Sequence, residues 1–448
     1  MPLPDTHAPL LELSEIQGPV LRRRPAPYYG TYALLRIDDA ADGREMLRRL
    51  LPHIVSAADW DVGRDLWVAV MLTYTGLKAL GVPQASLDSF PPEMRDGMAS
   101  RAHILGDVGD SDPTHWQPPY GTGDIHVALT ILADSEEVWH EKVALAEARI
   151  ADLPGVALLG RSDFAQLPGG RTSLGYKDGI SFPRIAGSGV HHQPGAEPEI
   201  AAGEFVFGYP SESGTLLPMP QPDILGRNGT LIGFRKLHTR VADFRRFLRE
   251  NAGNAAEEEL LAAKLIGRWR SGAPLALAPE QDDPALAEDY TRNNDFSYAD
   301  DPKGLLCPFG AHIRRNNPRD TQMPVLSDVN LHRIIRHGTT YGPPLPDGIL
   351  EDDGAERGIF FIFLSARAPK TFEFLKSHWI NDGNFLGLGT EKDPVAGTQD
   401  GAGVFTIPKR PIRRRVQGLS TFTVTQGGEY GFMPSLSALR WLSEMQGP

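Results

Sequence analysis

The chain has 448 residues, 41% hydrophobic and 23% charged, an ordinary soluble composition too long for one average domain, so two large units or a duplicated one are expected. Its formal net charge of -12 works against a nucleic-acid surface, which needs a basic field to neutralise phosphates. Cys307 is the one cysteine, which excludes an intrachain disulfide and a cysteine-built zinc cluster and suggests a reducing, cytoplasmic compartment.

At the start of the chain, residues 1–27 contain no apolar run of signal-peptide length, and no later segment offers the roughly 18 apolar residues of a membrane span. Neither a membrane nor a nucleic-acid partner is expected, and a homo-oligomer stays open. Residues 31–37 predict a strand and 43–54 a helix with Leu47, Leu50, Leu51 and Ile54 on one face. Strands follow at 66–73 and 125–132. Trp139, Val143, Ala146 and Ile150 then predict a helix over 135–150 behind a Ser135 cap, and 156–160 predicts a fourth strand. The order β-α-β-β-α-β is the ferredoxin-like arrangement.

The second part can be read in the same order. A strand at 230–237 precedes a helix carrying Val241, Phe244 and Leu248, and strands follow at 331–336 and 358–365. Pro369 opens a helix with Phe372, Leu375 and Trp379, and 420–425 predicts the last strand. The expected fold class is α+β, two ferredoxin-like halves with antiparallel sheets able to pack face to face, divided into residues 1–190 and 191–448. The Pro/Gly-rich region 183–222 reads as their junction. An insertion over about 254–330 is longer than ordinary loops, which makes it the expected place for a cofactor.

Common catalytic signatures are absent: there is no G-x-x-x-x-G-K-S/T, G-x-S-x-G or G-x-G-x-x-G, and His140-Glu141 lacks the second His of H-E-x-x-H. The runs Arg22–Arg24 and Arg413–Arg415 read as solvated or carboxylate-paired faces, though the second could also anchor an anionic cofactor group. In LGYKDGISFPRI (174–185), the Asp178-Gly179 pair is a strong turn signal, and the question is whether the turn presents a carboxylate to a reactant. In CPFGAHIRRNNPRD (307–320), a lone His312 would more often be a satisfied imidazole. Here it sits beside Arg314, Arg315 and Arg319, which are suited to propionates, and an arginine-bearing strand follows. These are the parts that a haem enzyme needs.

Those two blocks stand in family order with EIQGPVLR, GLKALGVP, FPPEMRDGMASRAHILGD, NGTLIGFRKL, RIIRHGTTYG, GIFFIFL, FEFLKSHWINDGNF, KDPVAG and GGEYGFMPS. On them the chain resembles the dye-decolorizing (DyP-type) haem peroxidases over nearly its whole length, and most their longer, cytoplasmic branch. The resemblance implies a dimeric α+β barrel type of fold with haem b (iron protoporphyrin IX) in the C-terminal half. It implies an enzyme that uses hydrogen peroxide to oxidise dyes, phenols and similar aromatic reductants through an oxoferryl intermediate.

Carried over residue by residue, it makes His312 the iron ligand, Asp178 the distal carboxylate and Arg336 the distal guanidinium, with Arg333 as second choice. Ile359 and Phe361 become the apolar distal wall, Arg314 a propionate partner, and Asp393 the acid that accepts the ligand imidazole's other N–H. Relatives often read I-S-Q-P after G-x-x-D-G, whereas this chain has Phe182, and Gly338 stands where some branches carry Asn. Because carboxylates titrate near ~4 and imidazoles near ~6.5, an acid-shifted optimum for dye oxidation is expected. Tyr341, Trp379 and Tyr430 are candidate electron relays, with core aromatics the plainer reading. The competing functions are a haem-binding or iron-handling protein with little turnover, a Cys307-ligated haem protein, and a chlorite-decomposing enzyme of the same fold.

Overall fold

A computed structural model describes residues 10–190, 197–322 and 328–446; residues 1–9, 191–196 of the expected junction, 323–327 of the insertion and 447–448 lie outside it. The first half is built on β1 (Tyr29–Ile37), β2 (Leu66–Leu72), β3 (Val127–Ala133) and β4 (Val156–Ala165), all antiparallel and mostly buried in β1 to β3. A short parallel pair, β5 (Arg184–Ile185) and β6 (Glu199–Ile200), begins the junction. The second half has β7 (Thr230–Thr239), β8 (Ile335–Arg336), β9 (Thr339–Tyr341), β10 (Gly358–Ser365) and β13 (Thr423–Met433), with a separate hairpin of β11 (Gly403–Ile407) and β12 (Arg414–Leu419).

The strand order β4-β1-β3-β2-β13-β7-β10-β8, with β9 on β10, contains the ferredoxin-like order twice: fourth, first, third, second in each half. The halves join where Phe432 of β13 pairs with Leu72 of β2. They also face one another. The Tyr32 ring of β1 lies 4.9 Å from Phe234 of β7 and 5.6 Å from Phe360 of β10, and Phe164 of β4 lies 6.3 Å from Phe360. Such offset and edge-on aromatic pairs bury large areas, so this ring cluster forms much of the core between the halves.

Local chemistry sets the element ends. The helix Ala40–Leu50 begins three residues before its predicted start because the Asp39 carboxylate accepts from Ala41 N and Asp42 N at 2.9 and 3.0 Å. Two expectations need correction. Of the run 331–336 only Ile335–Arg336 is strand; Val329–His332 is a 3-10 turn started by Asp328, which accepts from Asn330 N at 2.9 Å. The strand expected at 420–425 instead runs on to Met433. Gly427 and Gly428, just past the predicted end, lie at a bulge where a Cβ would stand 2.4 Å from the Tyr120 ring or from Met98 Sδ.

Candidate active site

Asp178 sits on a turn made by two glycines with positive φ, Gly175 at 87° and Gly179 at 74°, a conformation that costs glycine nothing. Its carboxylate accepts from Gly179 N at 2.7 Å and is exposed, while its own N–H donates to Gly170 O at 2.9 Å. Arg336 lies at the end of β8, next in line to β10, which carries Ile359 and Phe361. Among the described residues no hydrogen bond or ion pair fixes its guanidinium. Its surface is accessible, yet protein walls surround it: burial lowers its pKa and the Asp178 charge opposes that fall, so the two groups are electrostatically coupled. Gly338 completes the corner, since a Cβ there would stand 3.4 Å from Asp178 Oδ2 and 3.6 Å from Ile359 Cγ2.

His312 opens the short helix His312–Asn316. Its Nδ1 lies 2.9 and 3.1 Å from the two oxygens of Asp393, which is fully buried and also accepts from Val395 N, Ala396 N and Asn316 Nδ2. Burial works to raise the Asp393 carboxyl, and the His312 charge with these hydrogen bonds overcomes it, holding it at about 2. An ionised Asp393 fixes the imidazole with its proton on Nδ1. Among the described residues Nε2 has no partner, and the side chain is 26% exposed, so its lone pair is free for a metal. Sequence reasoning missed Asn316, which braces both partners; its place one helical turn after His312 was the available signal.

The two sides lie within reach of each other. Gly267 packs on Ile313, where a Cβ would come within 2.4 Å, and Gly272 packs on Ile180 within 2.6 Å, with Lys177 N donating to Arg270 O at 3.1 Å. Five residues of chain span at most about 18 Å, so this stretch of the insertion ties the His312 helix to the Asp178 turn. From the other side, the Phe361 ring is 6.0 Å from Phe372, whose helix continues to Ile380, and Ile380 O accepts from Asp393 N at 2.8 Å.

Several arginine assignments change. Arg314 is wholly buried: it donates to Asp301 Oδ2 at 2.9 Å, to Cys307 O at 2.7 Å and to Asp301 O at 3.0 Å, between the rings of Tyr298 and Phe309. Three of its N–H donors fold the insertion, and its complete burial leaves no exposed surface for a propionate contact. Arg315 is likewise spent on three carbonyls, those of Trp379, Glu391 and Asp382. Arg333 pairs at 3.3 Å with Glu197, which also takes Arg319, and this favours Arg336 as the free distal cation.

In the Arg22–Arg24 run, Arg22 pairs with the Asp61 carboxylate at 3.4 Å and Arg23 is exposed, as the sequence reading allows, but all three also reach backbone carbonyls. Arg22 reaches Ser188 O, Arg23 the carbonyls of Gly179 and Ile180, and Arg24 those of His337 and Gly338. Phe182 is buried between Arg23 and His337. Arg413, Arg414 and Arg415 are exposed on the β11–β12 hairpin. Tyr341, Trp379 and Tyr430 are buried, which fits the core reading. Cys307 is fully buried, and burial pushes its thiol up to about 11, the opposite of a ready thiolate ligand.

No family model matches the chain. It is, however, 33% identical over 446 residues to the dye-decolorizing peroxidase of Mycena epipterygia, covering 90% of this chain and 82% of that one. The chain belongs to the dye-decolorizing peroxidases. A multifunctional dye peroxidase of Amycolatopsis is 30% identical, with 96% of both chains covered. Among solved structures, an ancestral D-type dye-decolorizing peroxidase superposes with a TM-score of 0.84 at 30% identity, over 96% of this chain and 99% of that one. The Auricularia auricula-judae enzyme gives a TM-score of 0.83 at 27% identity over 97% and 99%. The protein is thus a haem-dependent peroxidase. Its donor set fits that cofactor: a carboxylate-braced imidazole and a guanidinium whose Nε2 and N–H groups, respectively, have no partner among the described residues, and the part-exposed apolar side chains of Ile359 and Phe361.

Proposed function

We propose that this peroxidase uses hydrogen peroxide to oxidise dyes and phenols, with His312 as iron ligand and Asp178 and Arg336 as the distal pair. A dye-decolorizing peroxidase with 2,6-dimethoxyphenol bound is among its structural relatives, which supports phenols as reductants. The observation that carries the reading is the corner at Gly338, where a Cβ would stand 3.4 Å from the exposed Asp178 carboxylate, two residues past an Arg336 that has no hydrogen bond or ion pair among the described residues. Haem, when bound, supplies the iron and porphyrin that take up the oxidising equivalents of peroxide. Asp178 accepts the proton of one peroxide oxygen and returns it to the other, which leaves as water. Arg336 stabilises the negative charge that develops on the departing oxygen.

Asp393 takes the Nδ1 proton of His312 into a hydrogen bond and so strengthens Nε2 as a donor. Ile359 and Phe361 limit water at the reacting atoms. The same reading puts the distal carboxylate in a domain of residues 1–190 and the ligand in 191–448, a division supported by the strand order repeating on either side. A cytoplasmic location is proposed from the lone, buried cysteine; among the described residues no helix is long and apolar enough to cross a membrane. The test is stopped-flow oxidation of the haem by peroxide in Asp178→Asn and Arg336→Leu. Both are expected to fall by about a hundredfold or more, and wild-type rates in both would remove the assignments.

A further inference from the structure

β8 is the last strand of its sheet path, paired on one side only, through Ile335 and Arg336 to Leu364 and Phe363 of β10. Just past Arg336, the carbonyls of His337 and Gly338 have no strand to receive them. Arg24 fills that place: its two terminal nitrogens donate to Gly338 O and His337 O at 2.7 Å each, and it also donates to Tyr32 Oη at 2.7 Å. The turn that carries Asp178 has only the single antiparallel bridge of Arg171 with Lys177 before it, and past it the neighbouring residue acts. Arg23 donates to Gly179 O and to Ile180 O, the two carbonyls directly after Asp178, while its guanidinium lies 5.3 Å from the centre of the Phe182 ring.

The segment holding these arginines is itself fixed. Trp60 Nε1 donates to Arg23 O at 2.7 Å, His337 Nε2 bonds Pro19 O at 2.6 Å, and Arg22 donates to Ser188 O at 2.7 Å. Adjacent Cα atoms are 3.8 Å apart, so one peptide unit ties together two loops that are more than 150 residues apart in sequence.

We propose that Arg23 and Arg24 are positioning residues for the peroxide step: as neighbours on one segment, they hold the Asp178 turn and the Arg336 strand at a set spacing and orientation. This rests on the distal-pair reading above. Neither arginine touches peroxide; each acts through backbone carbonyls one or two residues past the one that does. A misplacement of about 1 Å in such a pair can cost on the order of a hundredfold in rate, and four donated hydrogen bonds limit that movement.

The experiment compares Arg23→Met, Arg24→Met, Arg23→Lys and Arg24→Lys holoenzymes with wild type, Asp178→Asn and Arg336→Leu. Three readouts are taken: the rate of haem oxidation by peroxide, the affinity of the ferric protein for cyanide from the absorption shift, and the rate at which a phenol reduces the oxidised enzyme. The Met variants should keep the wild-type ferric spectrum and phenol rate, lose about tenfold or more in the peroxide rate, and bind cyanide more weakly. The Lys variants, which keep the charge and one donor nitrogen, should recover part of both losses.

Wild-type peroxide rate and cyanide affinity in both Met variants would overturn the inference. So would loss of haem or an equal slowing of every step, because that marks a general structural role. Should Asp178→Asn and Arg336→Leu also run at wild-type rates, the distal-pair reading itself has failed; if those two are slow and the arginine variants are not, only the positioning role falls.

Discussion

Replacing Asp393 by Asn tests the proximal side directly. Asp393 Oδ1 accepts from Val395 N and Ala396 N at 2.9 and 2.8 Å, and Oδ2 faces His312 Nδ1 at 2.9 Å and Asn316 Nδ2 at 3.1 Å. An amide that keeps the first pair of contacts must turn its NH2 toward two donors. The carboxyl is held at about 2 against an ordinary 3.8, and at 1.36 kcal/mol per unit that difference is worth about 2 kcal/mol. Since the folded value is depressed, this stability is fully present above pH ~4 and is lost as pH falls through about 2.

Urea unfolding of the haem-free Asp393→Asn protein at pH 7 should therefore show a loss of about 2 kcal/mol that shrinks between pH ~4 and ~2. In the haem-loaded protein the imidazole would be a poorer electron donor, and the ferric/ferrous midpoint potential should rise. A stability gap that stays constant with pH, together with an unmoved potential, would refute the role given to the Asp393–His312 pair.

Glu429 is buried in β13 and accepts from Gly121 N at 2.9 Å; burial raises its pKa to about 7, against a smaller opposing effect of that bond. Because the folded value is the higher one, its ionisation costs nothing below pH ~4.5 and about 3 kcal/mol above pH ~7. Glu429→Gln should thus match wild type near pH 4.5 and exceed it by about that amount at pH 8 in urea unfolding, and parallel profiles would refute this. Gly338→Ala should fold with wild-type stability because a Cβ there meets only ordinary contacts. Gly233→Ala drives a Cβ to 2.0 Å from the Phe363 ring and should cost about 1–3 kcal/mol by thermal unfolding.

Much of this enzyme was legible before its structure. Apolar periodicity located nearly every strand of both ferredoxin-like halves, because a sheet buried on one or both faces must show it. The failures share a cause. Gly427 and Gly428 hid the second half of β13 because their missing side chains make room for Tyr120 and Met98, partners from 300 or more residues away. Motif resemblance selected His312, Asp178 and Asp393, and the last was found at hydrogen-bond distance from the first. The arginine readings missed the carbonyl partners of Arg314, Arg23 and Arg24, although Arg22 does pair with the Asp61 carboxylate. A guanidinium reaches several carbonyls at once, and which carbonyls surround it is a property of the fold, not of neighbouring letters.

The seam between β2 and β13 joins two halves that carry complementary parts of the proposed site, the acid of one turn in the first and the imidazole of a short helix in the second. A chain released or cleaved at the junction would leave each fragment with a partial constellation. The peroxide step, which on this reading needs the acid of one half and the guanidinium of the other, therefore reports that both pieces have folded and docked.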